Sequence, residues 1–336
     1  MTFGGWEQAS SVVTSQVARA MCEKFVNFGD SGGHLHVDTA RIYTSGKCEE
    51  AVEEAIKGLH VLVGTKAHPS QTRGLSREGL KGQWDVSSSL LTSAVPMHEY
   101  YLHQPDPDCD LLESLKFVDG LIKEGKVQKL GLSNYAALEV RRCFELCEAH
   151  GLTPPSVYQG LYNPLNRMVE EELLPILREK SCDFIAYNPL AAGLLSGKHT
   201  QGGEVKNGRF KNNPNYLPRF YTDGNFLALE RIRAACEGAG MTMVEATYIW
   251  LLRHSALRPN DGLLLGASSL DQLEANLVAC EKAKETPLPD DVREAFDSAW
   301  GVTKNEKPFK YWRNYSKDMP GREGLDQGEG YVVKKS

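Results

Sequence analysis

Short runs of apolar, β-branched or aromatic residues alternate with amphipathic stretches along the whole chain, which is how a parallel sheet joined by crossover helices reads in sequence. Strands are predicted at His34–Asp38, His60–Lys66, Tyr100–His103, Lys129–Asn134, Ser156–Gln159, Phe184–Tyr187 and Gly262–Gly266, and the stub Met1–Gly4 makes eight. Counted between last residues from Asp38 onward, the strands are 28, 37, 31, 25, 28 and 79 residues apart. One βα unit takes about 30 residues, so each interval but the last holds a single unit. The last holds a helix and a long insertion, from about Leu190 to Asn225, rich in Gly, Asn, Pro and aromatic residues. Loops of that length in a compact domain are usually functional. After Asn134, the residues Leu138, Val140, Cys143, Phe144 and Cys147 carry helical apolar spacing.

The expected architecture is α/β, a single (β/α)8 TIM barrel over residues 1–313, followed by a polar, Gly-containing extension over 314–336. A barrel of this kind runs to roughly 250 residues, and the 336 residues present accommodate it with its loops. The extension is expected to be dispensable for folding and cofactor affinity.

With 38 Lys+Arg against 44 Asp+Glu the net charge is −6, and no basic cluster suggests nucleic-acid binding. No run of about 18 apolar residues and no basic-then-apolar leader occurs, so neither a membrane span nor a secretory signal is expected, and a cytoplasmic location follows. Eight cysteines are scattered without the spacing of a disulfide framework. Cys143 and Cys147 stand at helical spacing, but no second His or Cys pair answers them, and no metal is expected.

The polar residues collect where the apolar runs stop: Asp38, Lys66, His103, Ser133, Asn134, Gln159 and Tyr187. In a closed parallel barrel these ends meet at one mouth, where barrels of this type place their active sites. The segment Asp38-Thr-Ala-Arg-Ile-Tyr43 adds a phenol near Lys66. A buried ammonium beside a tyrosine hydroxyl favours the phenolate and draws the phenol toward working pH, which fits Tyr43 as a general acid. Asp38 would hold Lys66 charged, and His103 would hydrogen-bond a substrate oxygen at the same spot.

Several further motifs carry a family resemblance: Tyr101-Leu-His103, Leu130-Gly-Leu-Ser-Asn-Tyr135, Val157-Tyr-Gln-Gly160, Ala186-Tyr-Asn-Pro-Leu190, Gly193-Leu-Leu-Ser-Gly-Lys198 and the run from Leu265 to Asn276. Over Thr2 to Arg313 the chain resembles the aldo-keto reductase superfamily, most of all its aflatoxin aldehyde reductase group. The resemblance implies a catalytic tetrad of Asp38, Tyr43, Lys66 and His103, with Tyr43 as proton donor, and NADPH/NADP+ bound without a Rossmann fold. It also implies that Ser133, Asn134 and Gln159 bind the nicotinamide carboxamide while Tyr187 stacks on the ring. Such side chains can answer an amide's donors and acceptor.

By the same resemblance, the long loop after strand 7 straps the cofactor through Asn188, Pro189, Leu190, Gly193, Leu195, Gly197 and Lys198, with Arg209 beyond it. Ser268, Gln272 and Asn276 contact the adenosine half. Many relatives carry an Arg or Lys in that last helix, whereas here the stretch has none and includes Asp271 and Glu274. Substrate contacts fall to Trp6, His68, His103, Gln104, Tyr162, Arg219, Tyr311 and Arg313, with Arg219 placed to hold an acid group such as that of a semialdehyde.

The function implied is NADPH-dependent reduction of aldehydes, and of reactive ketones or dialdehydes, to alcohols. The partner expected is a small-molecule carbonyl substrate, and a homodimer is compatible. One alternative is a non-catalytic regulatory subunit resembling the potassium-channel β-subunits, against which the near-complete tetrad and the absence of a long N-terminal inactivating segment are expected to count. Another is a barrel hydrolase or isomerase using His103 and Asp38, which would not need Ser133, Asn134, Gln159 and Tyr187. Two departures from relatives bear on barrel closure: the chain starts at Met1-Thr-Phe-Gly4 where they have a full first strand, and Glu99 stands where they place an apolar residue.

Overall fold

The computed structural model describes residues 3, 13–28, 35–203, 210–211, 213 and 215–329. Trp6, Arg209, most of the Met1–Gly4 stub and residues 330–336 lie outside them. Seven strands form one sheet: β1 (His36–Asp38), β2 (Leu62–Ala67), β3 (Met97–Leu102), β4 (Val127–Ser133), β5 (Val157–Leu161), β6 (Asp183–Tyr187) and β7 (Gly262–Leu263). Every adjacent pair is parallel, and sheet order equals chain order. Those are seven of the eight expected strands, in the arrangement of a TIM-barrel-like fold. Around them run α1 (Ser15–Phe28), α2 (Cys48–Ile56), α3 (Arg77–Leu90), α4 (Leu111–Lys123), α5 (Ala137–His150), α6 (Leu173–Glu179), α7 (Leu217–Phe220), α8 (Asp223–Gly238), α9 (Met243–Arg253), α10 (Leu270–Glu285) and α11 (Asp290–Thr303). No described helix is long and apolar enough to cross a membrane.

Local chemistry sets the helix starts. Ser76, Thr222, Thr242 and Ser269 each accept the backbone N–H three residues on, satisfying a donor that the first turn leaves open. On α5 the buried face is Ala137, Val140, Cys143, Phe144 and Cys147. Leu138, expected on that face, is exposed; its position one residue past Ala137 turns it about 100° away.

Two features depart from expectation. Glu99 is buried, and its Oε1 approaches His36 Nδ1 at 3.0 Å and His98 Nδ1 at 2.8 Å. Burial acts to raise its carboxyl, but the two imidazoles outweigh burial and hold it below the usual carboxylate range. The charge that seemed foreign to a barrel interior therefore has local partners.

The C-terminal extension, through residue 329, packs on the barrel. Tyr315 and Met319 form an apolar cluster with Ala136, flanked by Trp312 and Leu325. Asp318 pairs with Arg142 of α5 at 2.5 Å and accepts the Leu111 N–H at the start of α4 at 2.9 Å. The Ser316 N–H donates to Glu139 at 2.8 Å. The extension is polar overall, but its few apolar residues face inward, which composition alone does not reveal. Deleting 314–336 is accordingly expected to lower the melting temperature by about 5 °C or more, read by thermal denaturation; an unchanged Tm would contradict this docking.

Candidate active site

Asp38 ends β1, and Lys66 lies one residue before the end of β2. The register that pairs Asp38 with Gly64 places Lys66 two residues further along the same face. Lys66 is completely buried, and its ammonium meets Asp38 Oδ1 at 2.5 Å and the Thr39 carbonyl at 2.8 Å. It also lies over two aromatic rings, 5.4 Å from the centroid of Tyr43 and 5.3 Å from that of Tyr101. Tyr101 can occupy that position because Gly131 on β4 has no side chain; a Cβ there would meet its ring at 2.3 Å. Tyr43 opens a tight turn, Tyr43–Gly46, beyond β1 and is half-buried.

His103 follows β3 and faces Tyr43 edge-on, with ring centroids 5.7 Å apart. His68, after β2, packs edge-on against its other side at 5.1 Å. Desolvation, reinforced by the positive charges of Lys66 and Arg313, holds the His103 imidazole well below the ordinary histidine range. His68 is lowered to about 4, chiefly by burial. Both rings are therefore neutral at neutral pH. The His103 Nδ1 is buried and has no hydrogen-bond partner among the described residues, an arrangement that a bound oxygen or water would relieve.

The four residues predicted as a tetrad are thus brought together, and the predicted cofactor residues lie beside them. Gln159 on β5 donates its Nε2 to Asp38 at 2.9 Å. Asn134, at φ +60° just after β4, donates Nδ2 to the His103 carbonyl at 2.8 Å and to Ser133 Oγ at 3.0 Å. Its Oδ1 accepts the Tyr187 hydroxyl at 2.9 Å. The side chains expected to serve a carboxamide are therefore wired to one another and to the tetrad, which fixes their positions.

Beyond β6, Asn188, Ala191, Ala192, Gly193 and Gly197 all have positive φ, from +48° to +113°. Runs of this kind turn backbone N–H groups into anion-binding concavities. Leu194 and Leu195 are buried, so Leu195 can offer a ligand only its main chain. Lys198 is exposed. Asn163 holds the Asn188 carbonyl at 3.1 Å, and Arg233 of α8 holds those of Gly197 and His199 at 3.0 and 3.1 Å. At the start of α10, Gln272 Oε1 accepts from the Ser268 N–H and Oγ at 2.9 and 3.0 Å. Asn276 is buried and bonds the Gly266 carbonyl at 3.2 Å, shaping the loop. The amide-bearing strand ends and the left-handed strap suit a nicotinamide dinucleotide in donor set and backbone conformation.

Two predicted substrate contacts are buried, with their hydroxyls bonded within the protein. Tyr162 is fully buried, its hydroxyl donating to Glu170 at 2.5 Å and accepting the Ala256 N–H at 3.0 Å. Tyr311 is buried and accepts the Ala137 N–H at 3.2 Å. Both hydroxyls are thereby engaged by the protein itself. Arg313 is also buried, donating to the carbonyls of Lys310 and Trp312 at 3.0 and 3.1 Å. Its guanidinium stacks on Phe309 at 4.4 Å, and half-buried Arg219 stacks on the same ring at 3.9 Å. Sequence reasoning missed Phe309, Thr39 and Arg233. Thr39 acts through its carbonyl and Arg233 binds carbonyls, so no motif announces either; Phe309 lies in the segment before the Tyr311–Arg313 cluster.

The Aldo/keto reductase family profile matches residues 1–300. The chain belongs to the aldo/keto reductase family and is an oxidoreductase. It is 39% identical over 298 residues to aflatoxin B1 aldehyde reductase member 2 of Mus musculus, covering 84% of this chain and 80% of that protein. It is 36% identical over 317 residues to aldo-keto reductase family 7 member A3 of Homo sapiens, covering 89% and 92% of the two chains. With an aldo-keto reductase of Pseudocercospora fijiensis it shares 36% identity over 291 residues, 82% and 97% of the respective chains. Family membership brings with it a nicotinamide cofactor.

The burial of His103 has a direct spectroscopic consequence. At pH 6, just below the ordinary histidine pKa of about 6.5, its ring should show neutral-form NMR shifts, with His68 titrating near about 4. A His103 half-protonated at that pH would contradict the geometry.

Proposed function

We propose that the protein reduces aldehydes, and reactive ketones or dialdehydes, with NADPH, and that Tyr43 delivers the proton. The observation that carries this reading is the buried Lys66 ammonium, held by Asp38 and Thr39 and lying over the Tyr43 ring beside a neutral His103. A reduced nicotinamide, when bound, supplies the hydride for the carbonyl carbon. Tyr43 gives its hydroxyl proton to the carbonyl oxygen, and Lys66 stabilises the negative charge left on the phenol oxygen. Asp38 keeps the ammonium in place. His103, neutral, donates a ring N–H to the same oxygen without competing for the proton.

Ser133, Asn134 and Gln159 would hold the carboxamide and Tyr187 the ring face, while Asn188, Pro189, Leu190, Gly193, Gly197 and Lys198 would take the pyrophosphate. Preference for the 2′-phosphate would rest on Lys198, Arg209, Ser268 and the N-terminal end of α10. Glu274 on that helix pairs with Lys24 of α1 at 2.7 Å, which offsets its charge. The mouse relative, named an aflatoxin B1 aldehyde reductase, points to the same substrate class. Arg219, half-buried over the Phe309 ring where Arg313 is fully buried, is the residue assigned to an acid group on the substrate. A cytoplasmic location accords with eight unpaired cysteines.

Steady-state kinetics with a panel of aldehydes tests the assignment. Tyr43→Phe should lower kcat by about 10²–10⁴-fold and leave the cofactor Kd nearly unchanged; retention of most of kcat would remove Tyr43 as the acid. NADPH should give a higher kcat/KM than NADH, and equal values would remove the 2′-phosphate site. Arg219→Leu should reduce kcat/KM for acid-bearing aldehydes by about 10- to 150-fold, the equivalent of a lost charge-assisted pair. An equal loss with neutral aldehydes would show that Arg219 only shapes the loop.

A further inference from the structure

One buried group of chemically capable side chains lies outside this site. At the N-terminal ends of β1 and β3, away from the mouth, His36, His98 and Glu99 each bring a ligand atom to within 4.8 Å of the others. Both Nδ1 atoms approach the same carboxylate oxygen, at 3.0 and 2.8 Å. Yet neither is aligned for a hydrogen bond with it or with any other group among the described residues, and both atoms are buried. Native interiors rarely leave two such nitrogens without an aligned hydrogen bond, even beside a carboxylate that they pair with electrostatically.

We propose that His36, His98 and Glu99 form a binding site for a divalent transition-metal ion, with zinc the best match. Two imidazoles and one carboxylate are a donor set that zinc takes with a fourth position open to water. The imidazoles disfavour calcium and magnesium, which choose oxygen. For metal–ligand distances of about 2.0–2.1 Å, tetrahedral neighbours stand about 3.3 Å apart. The two contacts to Glu99 therefore open slightly, while the ligand atoms, all within 4.8 Å of one another, need only small side-chain movements to close on one ion. His36 has room to turn, since its side chain is 31% exposed.

The ligands come from strands that are not neighbours. Between them β2 presents Gly64, where a Cβ would come within 2.9 Å of Glu99 Oε2. The missing side chain is what lets the carboxylate lie across β2 toward His36. A bound ion would clip β1 to β3, and because only the folded chain assembles the site, binding would raise stability.

The test uses the full chain, treated with chelator, dialysed and titrated with zinc by calorimetry, with cobalt as a spectroscopic probe. The expected result is one equivalent bound, a raised Tm, and a cobalt spectrum without sulfur-to-metal charge transfer. His36→Ala and His98→Gln should each weaken zinc binding by about 100-fold, at least the upper end of the cost of losing an outer-shell partner. His36→Ala changes a partly exposed side chain, so it reports even if His98→Gln folds poorly. Zinc affinity equal in wild type and His36→Ala, absence of binding, or a thiolate spectrum from the cysteines would each overturn the proposal.

Discussion

A fully buried ammonium is the constraint around which the mouth of this barrel is arranged. Lys66 has no access to water, so its charge must be met inside the protein, and breaking such a pair by removing one partner costs about 3–5 kcal/mol. Asp38 and the Thr39 carbonyl meet it from β1 and its exit, Tyr101 lies against it from β3, and the absent side chain of Gly131 on β4 makes room for that ring. Four consecutive strands are thus committed to one cation. Tyr43 is the remaining neighbour, half-buried and accessible from the mouth.

The same enclosure that makes the ammonium demanding makes His103 neutral. Desolvation, the Lys66 charge and the Arg313 charge all act in one direction, so a residue that could have been a second acid remains a hydrogen-bond donor. Asn134 links this histidine's carbonyl to Ser133 and Tyr187. Its backbone carbonyl also accepts the Arg313 N–H at 2.9 Å, which ties the C-terminal segment to the end of β4. Docking of the extension and rigidity of the predicted cofactor side are therefore one mechanical unit.

Much of this was legible in the sequence because parallel strands buried on both faces read as plain apolar runs, and their polar ends converge by topology. Asp38, Tyr43, Lys66 and His103 are visible for that reason. The companions are harder to see. Thr39 contributes a carbonyl, which no side-chain pattern encodes, and Gly131 contributes a space. Tyr162 follows β5, yet its hydroxyl turns toward Glu170 and Ala256 because a buried phenol takes the partners nearest to it. Glu99 read as an intrusion because the two histidines that meet it lie on β1 and beside it on β3, a contact that only register reveals. The extension read as solvated because its inward apolar residues, Tyr315 and Met319 with Leu325 beside them, are diluted by polar neighbours.

The central claim is that the buried Lys66 charge serves the chemical step. Lys66→Met keeps the side chain's length and removes its charge, and the measurement is kcat for aldehyde reduction alongside cofactor Kd, with the fold monitored by circular dichroism. A folded variant with cofactor affinity within a few-fold of wild type and kcat lowered by about 10²–10³-fold, the usual cost of removing one electrostatic stabiliser, is the result expected. A folded variant that keeps kcat near the wild-type value would contradict it.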